Sequence, residues 1–214
     1  MRRLTYLVVG IVGLAVVICG GWSAAMALPA MCYQGTFAAD NTVTTHNFNV
    51  TTGGFYELQT WSYAGGTDPC GNLVPRGGFD PILSLFSGAG VNLMASNDDG
   101  WKRLDSANGL GWDSYIKIYL APGNYTVALT EYDNFAVGPG LGNGFLEDGN
   151  ANFTAGYSPP YCTLGVFCDV SGTPFAQRTA LYDYSIQAVP EPGSLLLLGT
   201  GVLGLAGIIR RKLF

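Results

Sequence analysis

The chain has 214 residues, of which 12% are charged, against about a quarter in an ordinary soluble protein. It carries 31 Gly and 11 Pro, with 48% hydrophobic and 13% aromatic residues and a formal net charge of -5. A disordered chain would have fewer aromatic residues and more charge, a coiled coil would be rich in Glu, Lys and Leu, and a nucleic-acid-binding protein would be basic. The composition excludes these three classes and leaves a chain of one domain or two small ones.

The first 27 residues have the organisation of a secretory signal peptide. Residues 1–3 supply a positive start, residues 4–19 form an apolar run, and residues 25–27 read Ala-Met-Ala, the small-x-small pattern of a signal-peptidase site. We therefore predict a signal helix over residues 1–27, cleavage by signal peptidase and a mature start at Leu28. An uncleaved anchor helix is the alternative. Lipoprotein processing at Cys19 is disfavoured, because the residue before it is large.

The other end of the chain combines a short polar motif, an apolar stretch over residues 194–209 and a basic cluster. The residues of the motif and the cluster are Pro190, Glu191, Pro192, Arg210, Arg211 and Lys212. As a helix, the apolar stretch would be roughly 24 Å long, shorter than a bilayer core of about 30 Å. It would span a thin or compressed membrane with its basic end in the cytoplasm. The alternative is an ordinary single-pass anchor.

These three parts, in this order, resemble the PEP-CTERM sorting signal of exosortase-processed bacterial proteins, a tail also catalogued as an ice-binding protein C-terminal domain. The resemblance implies export across the inner membrane of a Gram-negative bacterium and transient anchoring through a single C-terminal helix. It also implies cleavage by exosortase and release to the cell surface or extracellular matrix. It implies a cellular destination and indicates no ligand. The organisation predicted is a signal peptide over 1–27, a secreted domain over 28–188 and a sorting segment over 189–214.

The secreted domain is more acidic than the whole chain. Between residues 28 and 189 lie five basic and fourteen acidic residues, which give a formal charge of -9. Such a charge disfavours nucleic acid and anionic membrane surfaces as partners, and it favours solubility and the binding of cations.

Four cysteines remain after removal of the signal peptide: Cys32, Cys70, Cys162 and Cys168. In an oxidising exported compartment an even set of four indicates two disulfides, with three connectivities open. The short gap between Cys162 and Cys168 favours a local bridge, which leaves Cys32 with Cys70 as the preferred pairing. A zinc site is the alternative. It is disfavoured because zinc sites combine closely spaced ligand pairs with histidine support, and His46 is the only histidine.

The sequence of the secreted domain predicts an all-β structure. Short β-prone runs are bounded by Gly, Asn, Asp or Pro, and they cover residues 43–50, 55–63, 81–86, 93–96, 114–120, 125–132 and 180–188. Several short strands separated by turn signals predict a jelly-roll-like antiparallel β-sandwich. The Gly- and Pro-rich stretch from Glu131 to Phe175 is predicted to be a long irregular segment, ordered by its cysteine bridge.

The central motif is a strand, a Gly-rich turn, a second strand and an acidic turn, followed by another strand-turn-strand unit. The residues that carry this order are Asp80, Pro81, Leu83, Leu85, Phe86, Asn97, Asp98, Asp99, Asp113, Ser114, Pro122, Gly123, Tyr125 and Val127. They resemble the pattern of the bacterial pre-peptidase C-terminal domain, a secreted β-sandwich. Residues 60–66, 77–81 and 167–172 resemble PEP-CTERM proteins that carry this single domain. The resemblance covers residues 43–188 and implies a fold rather than an activity.

Five oxygen-bearing side chains of this motif are candidate calcium ligands: Asp80, Asn97, Asp98, Asp99 and Asp113. Calcium takes about six to eight oxygen ligands. The two strands of the hairpin reconverge where Asp80 begins one and the Asn97–Asp99 turn ends the other, so we expect these side chains at one end of the sandwich. The spacing is not that of an EF-hand. Ordinary turn chemistry, in which Asn and Asp bond to their own backbone, is the alternative.

The sequence favours a non-enzymatic cell-surface or matrix protein. A calcium-assisted carbohydrate- or protein-binding module is the second hypothesis, with Trp101 and Trp112 as the aromatic residues beside a polar loop and extracellular polysaccharide as a partner. A secreted hydrolase is the third. It would have to use His46, which we expect to be an exposed strand residue, or carboxylate pairs drawn from Glu57, Glu131 and Glu147.

Overall fold

The computed structural model describes residues 29–88 and 90–189. These residues form antiparallel β-sheets joined by turns and loops. The strands are β1 (Met31–Thr36), β2 (Thr44–Val50), β3 (Gly54–Thr60), β4 (Gly66–Thr67), β5 (Leu73–Val74), β6 (Pro81–Ser87), β7 (Asn92–Asn97), β8 (Tyr115–Leu120), β9 (Gly123–Glu131) and β10 (Leu181–Val189).

Two four-stranded sheets contain all the strands except β4 and β5. Sheet A has the order β1-β10-β3-β8, sheet B has the order β2-β9-β6-β7, and β4 pairs only with β5. When the β4–β5 hairpin is set aside, this is the strand order of a jelly roll, in which two Greek keys supply eight strands to two sheets. The predicted all-β, antiparallel architecture is confirmed.

The predicted signal helix over residues 1–27 and the predicted helix over residues 194–209 lie outside the described residues. Within residues 29–88 and 90–189, no helix has the length and apolar character needed to cross a membrane.

Each of the seven predicted β-runs overlaps an observed strand. The run over residues 55–63 is the one that extends furthest past its strand, since β3 ends at Thr60. The reason lies in the chain beyond it: the amides of Tyr63 and Ala64 donate to the carboxylate of Asp113 instead of to a neighbouring strand. The short strands β4 and β5 and the first strand, β1, were not predicted.

The core lies between the two sheets, because alternate residues of each strand face inward. Leu58, Ile116 and Ile186 of sheet A are buried against Leu83 and Val127 of sheet B. Strand β6 is buried on both faces. Its outer side carries Phe86, which packs with Ala128 and Phe145 in a second cluster.

The long segment after β9 supplies this outer cover. It contains two 3-10 turns, Leu141–Asn143 and Phe153–Gly156, and an isolated bridge between Ala136 and Phe145. As predicted, it is irregular along its length and carries the bridge between Cys162 and Cys168. It therefore covers the outer face of sheet B.

The second disulfide joins Cys32 of β1 to Cys70 in the turn between β4 and β5. Both preferred pairings are thus confirmed. Met31 and Tyr33 face the core, so Cys32 between them points to the outer side of sheet A. The disulfide fastens the β4–β5 hairpin over the β1–β10 half of that face.

Removal of the two disulfides should have unequal effects on stability. Cys32 and Cys70 are 38 residues apart, whereas Cys162 and Cys168 are 6 apart. Loop-closure entropy gives about 4 kcal/mol for the longer loop and about 2 kcal/mol for the shorter one. We expect the Cys32→Ser/Cys70→Ser double variant to lose more free energy of unfolding than the Cys162→Ser/Cys168→Ser variant in denaturant titrations. Equal losses would contradict this ranking.

Candidate functional site

Four chain segments converge at one end of the sandwich, where β6 and β8 begin and β7 and β9 end. The Ser114 hydroxyl lies 2.6 Å from the carbonyl oxygen of Pro81 and 2.6 Å from that of Asn97. The amide of Tyr132 donates to the carbonyl of Asp80 at 2.8 Å. These bonds place the start of β6 beside the acidic turn after β7, as the hairpin motif predicts.

Two carboxylates are buried at this end. Asp80 precedes β6 and Glu131 is the last residue of β9, where it pairs in register with Pro81. Asp80 is 5% exposed and Glu131 is 1% exposed, and in each one carboxylate oxygen, Oδ1 or Oε2, has no hydrogen-bond partner. A buried acceptor without a partner is costly and calls for a proton, an ion or water.

Two further acidic side chains, Asp98 and Asp99, complete what we call the acidic end: Asp80, Asp98, Asp99 and Glu131. Burial, and then the charge of Asp99, raise the pKa of Asp80 well above its ordinary value. Burial, and then the charges of Asp40 and Asp80, raise the pKa of Glu131 in the same direction. Burial and the neighbouring Asp98 raise the pKa of Asp99 to about 6. Asp80, Asp99 and Glu131 thus hold protons more tightly than exposed carboxylates do.

Asp113 does not share this lack of partners. Its Oδ1 accepts hydrogen bonds from the Thr60 hydroxyl at 3.0 Å and from the amide of Tyr63 at 3.1 Å, and its Oδ2 accepts from the amide of Ala64 at 2.9 Å. Burial still raises its pKa. Its carboxylate holds the chain that leaves β3.

Asn97 is also engaged in turn contacts. Its Oδ1 accepts from the amide of Tyr115 at 2.8 Å, and its Nδ2 donates to the carbonyl of Asp99 at 3.3 Å.

Of the five predicted ligands, Asp80, Asp98 and Asp99 share the acidic end with Glu131. Sequence reasoning had considered Glu131 only as a hydrolase carboxylate; its position opposite Pro81 in the sheet register is the signal that places it here.

The carboxylates of the acidic end do not form a preassembled metal site, because no three of them bring an oxygen atom each within 4.8 Å of one another. Within the described parts of the chain, three His, Cys, Asp or Glu side chains bring ligand atoms within 4.8 Å of one another only at Cys32, Asp68 and Cys70. At that position the two sulfur atoms are bonded to each other.

A buried ionic network lies among the loops and was not predicted. Arg178 donates from Nε to Asp169 at 2.7 Å and from Nη1 to Asp105 at 2.9 Å, and its guanidinium carbon lies 3.8 Å from the ring centroid of Tyr63. Arg76 binds the same Asp105 at 2.7 Å. The network joins the chain after β3, the loop before β8 and the end of the long segment.

The two predicted aromatic ligand residues differ in exposure. Trp101 is 58% exposed and has a φ of 51°, and its amide donates to the carbonyl of Gly111 at 2.9 Å. Trp112 is half-buried, with its ring 5.4 Å from that of Tyr63. The structure brings their backbones together across one loop, and only Trp101 presents a largely open ring.

The candidate hydrolase residues lie in separate places. The expectation that His46 is exposed is wrong: it faces inward from β2, its Nδ1 lies 2.6 Å from the Tyr184 hydroxyl, and its ring stacks on Tyr33. Burial lowers its pKa. Glu57 pairs with Lys117 at 3.2 Å on sheet A.

The C-terminal residues of the chain carry a signal for its cellular location. Residues 188–212 match the model of the PEP-CTERM protein-sorting motif. The chain carries a PEP-CTERM sorting signal. This signal marks an exported, cell-surface protein that is sorted by exosortase.

Comparison of the sequence with curated proteins gives no match. Several solved structures are similar to this chain. The pre-peptidase C-terminal domain of a collagenase from Bacillus anthracis has 11% identity and a TM-score of 0.37, over 73% of this chain and 87% of that one. A protein from Sulfurospirillum deleyianum has 12% identity and a TM-score of 0.36, over 77% of this chain and 100% of that one.

Loss of the Arg178 charge should destabilise the domain strongly. In Arg178→Met the buried carboxylates of Asp105 and Asp169 would lose their shared cation, which costs about 3 to 5 kcal/mol for a broken buried pair. The matched control is Lys117→Met, which breaks the partly exposed pair with Glu57 on the outer face of sheet A and should cost less than about 1 kcal/mol. Chemical denaturation measures both. A loss for Arg178→Met as small as that of the control would show that the network contributes little.

Proposed function

We propose that this protein is a non-enzymatic protein of the cell surface or extracellular matrix whose β-sandwich has a structural or binding role and is stabilised by calcium at the acidic end. The observation that carries the calcium proposal is the pair of buried carboxylates, Asp80 and Glu131, each with an oxygen atom that has no partner. Asp98 and Asp99 are close enough to raise the pKa of Asp80 through their charges.

The ligand chemistry suits a hard cation. Calcium accepts carboxylate, carbonyl and water oxygens in a flexible arrangement, so a site of two buried carboxylates would be completed by side chains of the acidic turn, by backbone carbonyls and by water. Asp113 stays outside the proposed ligand set, because both of its oxygens already accept hydrogen bonds. The cation would draw Asp98 and Asp99 toward Asp80.

Protons and calcium would compete for this site, which gives the proposal a pH signature. The pKa values of Asp80, Asp99 and Glu131 are raised in the folded state. The folded protein therefore keeps protons that the unfolded chain releases above about pH 4. Without a cation, stability is highest below that pH and falls as pH rises through the folded values. Bound calcium would replace the protons and offset the fall.

Thermal melts in chelator and in calcium test this. In chelator, the melting temperature should fall between about pH 5 and about pH 7.5. At about pH 7.5, calcium at about one hundred times its Kd should raise the melting temperature by about 5 to 10 °C. A melting temperature that calcium leaves unchanged would contradict the proposal.

Neutral variants of the same shape separate calcium binding from folding. Asp80→Asn and Glu131→Gln remove buried negative charges, so in chelator at neutral pH each should melt at or above the wild-type temperature. Both should lose most of the calcium-induced rise. Glu147→Gln is the matched control: it removes one charge at a side chain that bonds to Asn150 and whose charge is not among those that raise the pKa of Asp99 or Glu131, and it should keep the full rise.

The carbohydrate-binding alternative at the loop before β8 rests on one observation, the open ring of Trp101. Trp112 would contribute less, because its ring packs on Tyr63. Loss of glycan binding in Trp101→Ala with retention in Trp112→Ala is the result expected of that site.

We also infer that signal peptidase removes residues 1–27, that the C-terminal segment anchors the chain transiently in the inner membrane, and that exosortase then cleaves near residues 190–192. Mass spectrometry of the protein recovered outside the cell should find neither the first 27 residues nor residues 195–214. Replacement of residues 190–192 by alanine should keep the tail on the chain and the protein in the membrane fraction. Recovery of extracellular wild-type protein with residues 195–214 intact would contradict the cleavage.

A further inference from the structure

The half of sheet A formed by β3 and β8 presents a set of aromatic and basic side chains to solvent. Inward residues of these strands alternate with outward ones, and the outward residues are Phe55, Glu57, Gln59, Tyr115, Lys117 and Tyr119. Phe55 is 48% exposed and Tyr119 is 56% exposed, and their rings meet edge to face at 5.6 Å. Lys102, from the loop before β8, lies over the ring of Tyr115 at 4.2 Å. We call Phe55, Lys102, Tyr115, Lys117 and Tyr119 the aromatic-basic face.

Other parts of the two sheets are covered by chain segments that lie outside the sandwich. The long segment packs Phe145 on the outer side of sheet B, and the β4–β5 hairpin is fastened over the β1–β10 half of sheet A. The two exposed aromatic rings of β3 and β8 thus lie on the half of sheet A that neither the long segment nor the hairpin covers.

The basic residues of the secreted domain are also distributed unevenly over its surface. Arg76 and Arg178 are committed to the network around Asp105. The other three are Lys102, Lys117 and Arg103, and Arg103 lies over the ring of Trp61 at 4.6 Å and donates to the carbonyl of Gly65. A domain with a formal charge of -9 therefore places two of its cations, Lys102 and Lys117, together on one surface. An anionic ligand would be attracted to this surface and repelled elsewhere.

We propose that the aromatic-basic face binds an anionic polysaccharide. Exposed aromatic rings offer flat apolar surfaces for the C–H faces of sugar rings, with the Tyr hydroxyls as polar tips. Lys102 and Lys117 would pair with carboxylate or sulfate groups. Tyr115 and Tyr119 are four residues apart on β8, about 13 Å, so the face suits a segment of a polymer rather than a single sugar.

Glu57 favours anionic polymers that also carry hydroxyl groups. Its carboxylate lies 3.2 Å from the Lys117 ammonium, and along β3 it lies one outward position from Phe55. A carboxylate at this position repels any anionic group that comes close to it, and it accepts hydrogen bonds from sugar hydroxyls. A ligand that carries hydroxyl donors and negative charge together satisfies both Glu57 and the lysines. The inference is independent of the calcium proposal, since the two rest on different residues at different places.

Binding to an immobilised polyuronate, with neutral dextran as the matched polymer, tests the proposal. The protein purified from cells that export it should bind the polyuronate in chelator, where neither the polymer nor the acidic end holds calcium, and should not bind dextran. Lys102→Gln/Lys117→Gln should raise the Kd at least about tenfold, whereas Lys102→Arg/Lys117→Arg should retain binding. Phe55→Ala and Tyr119→Ala should each raise the Kd several-fold. Unchanged thermal melts would show that these variants fold.

Other results would overturn the assignment. Absence of polyuronate binding, or binding that the double glutamine variant leaves intact, would remove the face as the site. Binding lost only in Trp101→Ala would move the site to the loop before β8. Equal binding to duplex DNA or to vesicles of anionic phospholipid would show that charge alone acts, and the glycan assignment would be wrong. A salt-dependent self-association seen by sedimentation, abolished by the double glutamine variant, would instead identify a second copy of the chain as the occupant.

Discussion

The guanidinium group of Arg178 places a full positive charge inside the domain, with its side chain only 1% exposed, between Asp105 and Asp169 and against the ring of Tyr63. An ion in such a place must recover its lost hydration from well-placed partners. These partners come from three segments that are distant in sequence. The contacts of Arg178 with Asp105, Asp169 and Tyr63 can therefore form only when all three segments have reached their positions. The loop end of the sandwich therefore depends on one cation, and the irregular chain after β9 is tied to the sheets through it.

This arrangement also explains how a domain with few charges distributes them. Asp105 and Asp169 face Arg178, Asp113 holds the chain after β3, and Asp68 accepts bonds from the amides of Cys70 and Asn72. Several carboxylates thus serve as fixed acceptors for loops that lack a sheet neighbour. Because so many acidic groups are used in this way, the open β3–β8 surface carries more basic than acidic side chains although the domain is strongly acidic.

The strands of the two sheets were predictable where the sequence alternates between inward and outward residues, as in Tyr125, Val127 and Leu129 of β9. Strand β1 was missed because it is interrupted by Gly35, a residue that weakens a strand in isolation. The structure shows why it is there: a Cβ atom at that position would lie 2.6 Å from the Tyr182 hydroxyl oxygen. Strands β4 and β5 have two residues each, too few for any period, and a disulfide fixes their position on the sheet.

The candidate site was predictable only in part, for a related reason. The hairpin motif placed Asp80 beside Asp98 and Asp99, since pairing within a hairpin is local. Glu131 joins them through the pairing of β6 with β9, about fifty residues away in the chain, and that pairing belongs to the whole jelly roll. Likewise, Asp113 matches the motif as well as Asp80 does, and only the fold shows that its oxygens are used by the chain after β3.

Asp80 and Asp113 are buried to a similar degree but differ in their hydrogen-bond partners, and this difference is the physical basis of our proposal of a cation at the acidic end. Burial raises the pKa of both, but Asp113 has three donors that stabilise its charge, whereas one oxygen of Asp80 has no donor and three neighbouring carboxylates add to the repulsion. A carboxylate in the second situation must be neutralised. A proton neutralises it at low pH, and at higher pH the calcium ion that we propose would do so by binding several carboxylates together.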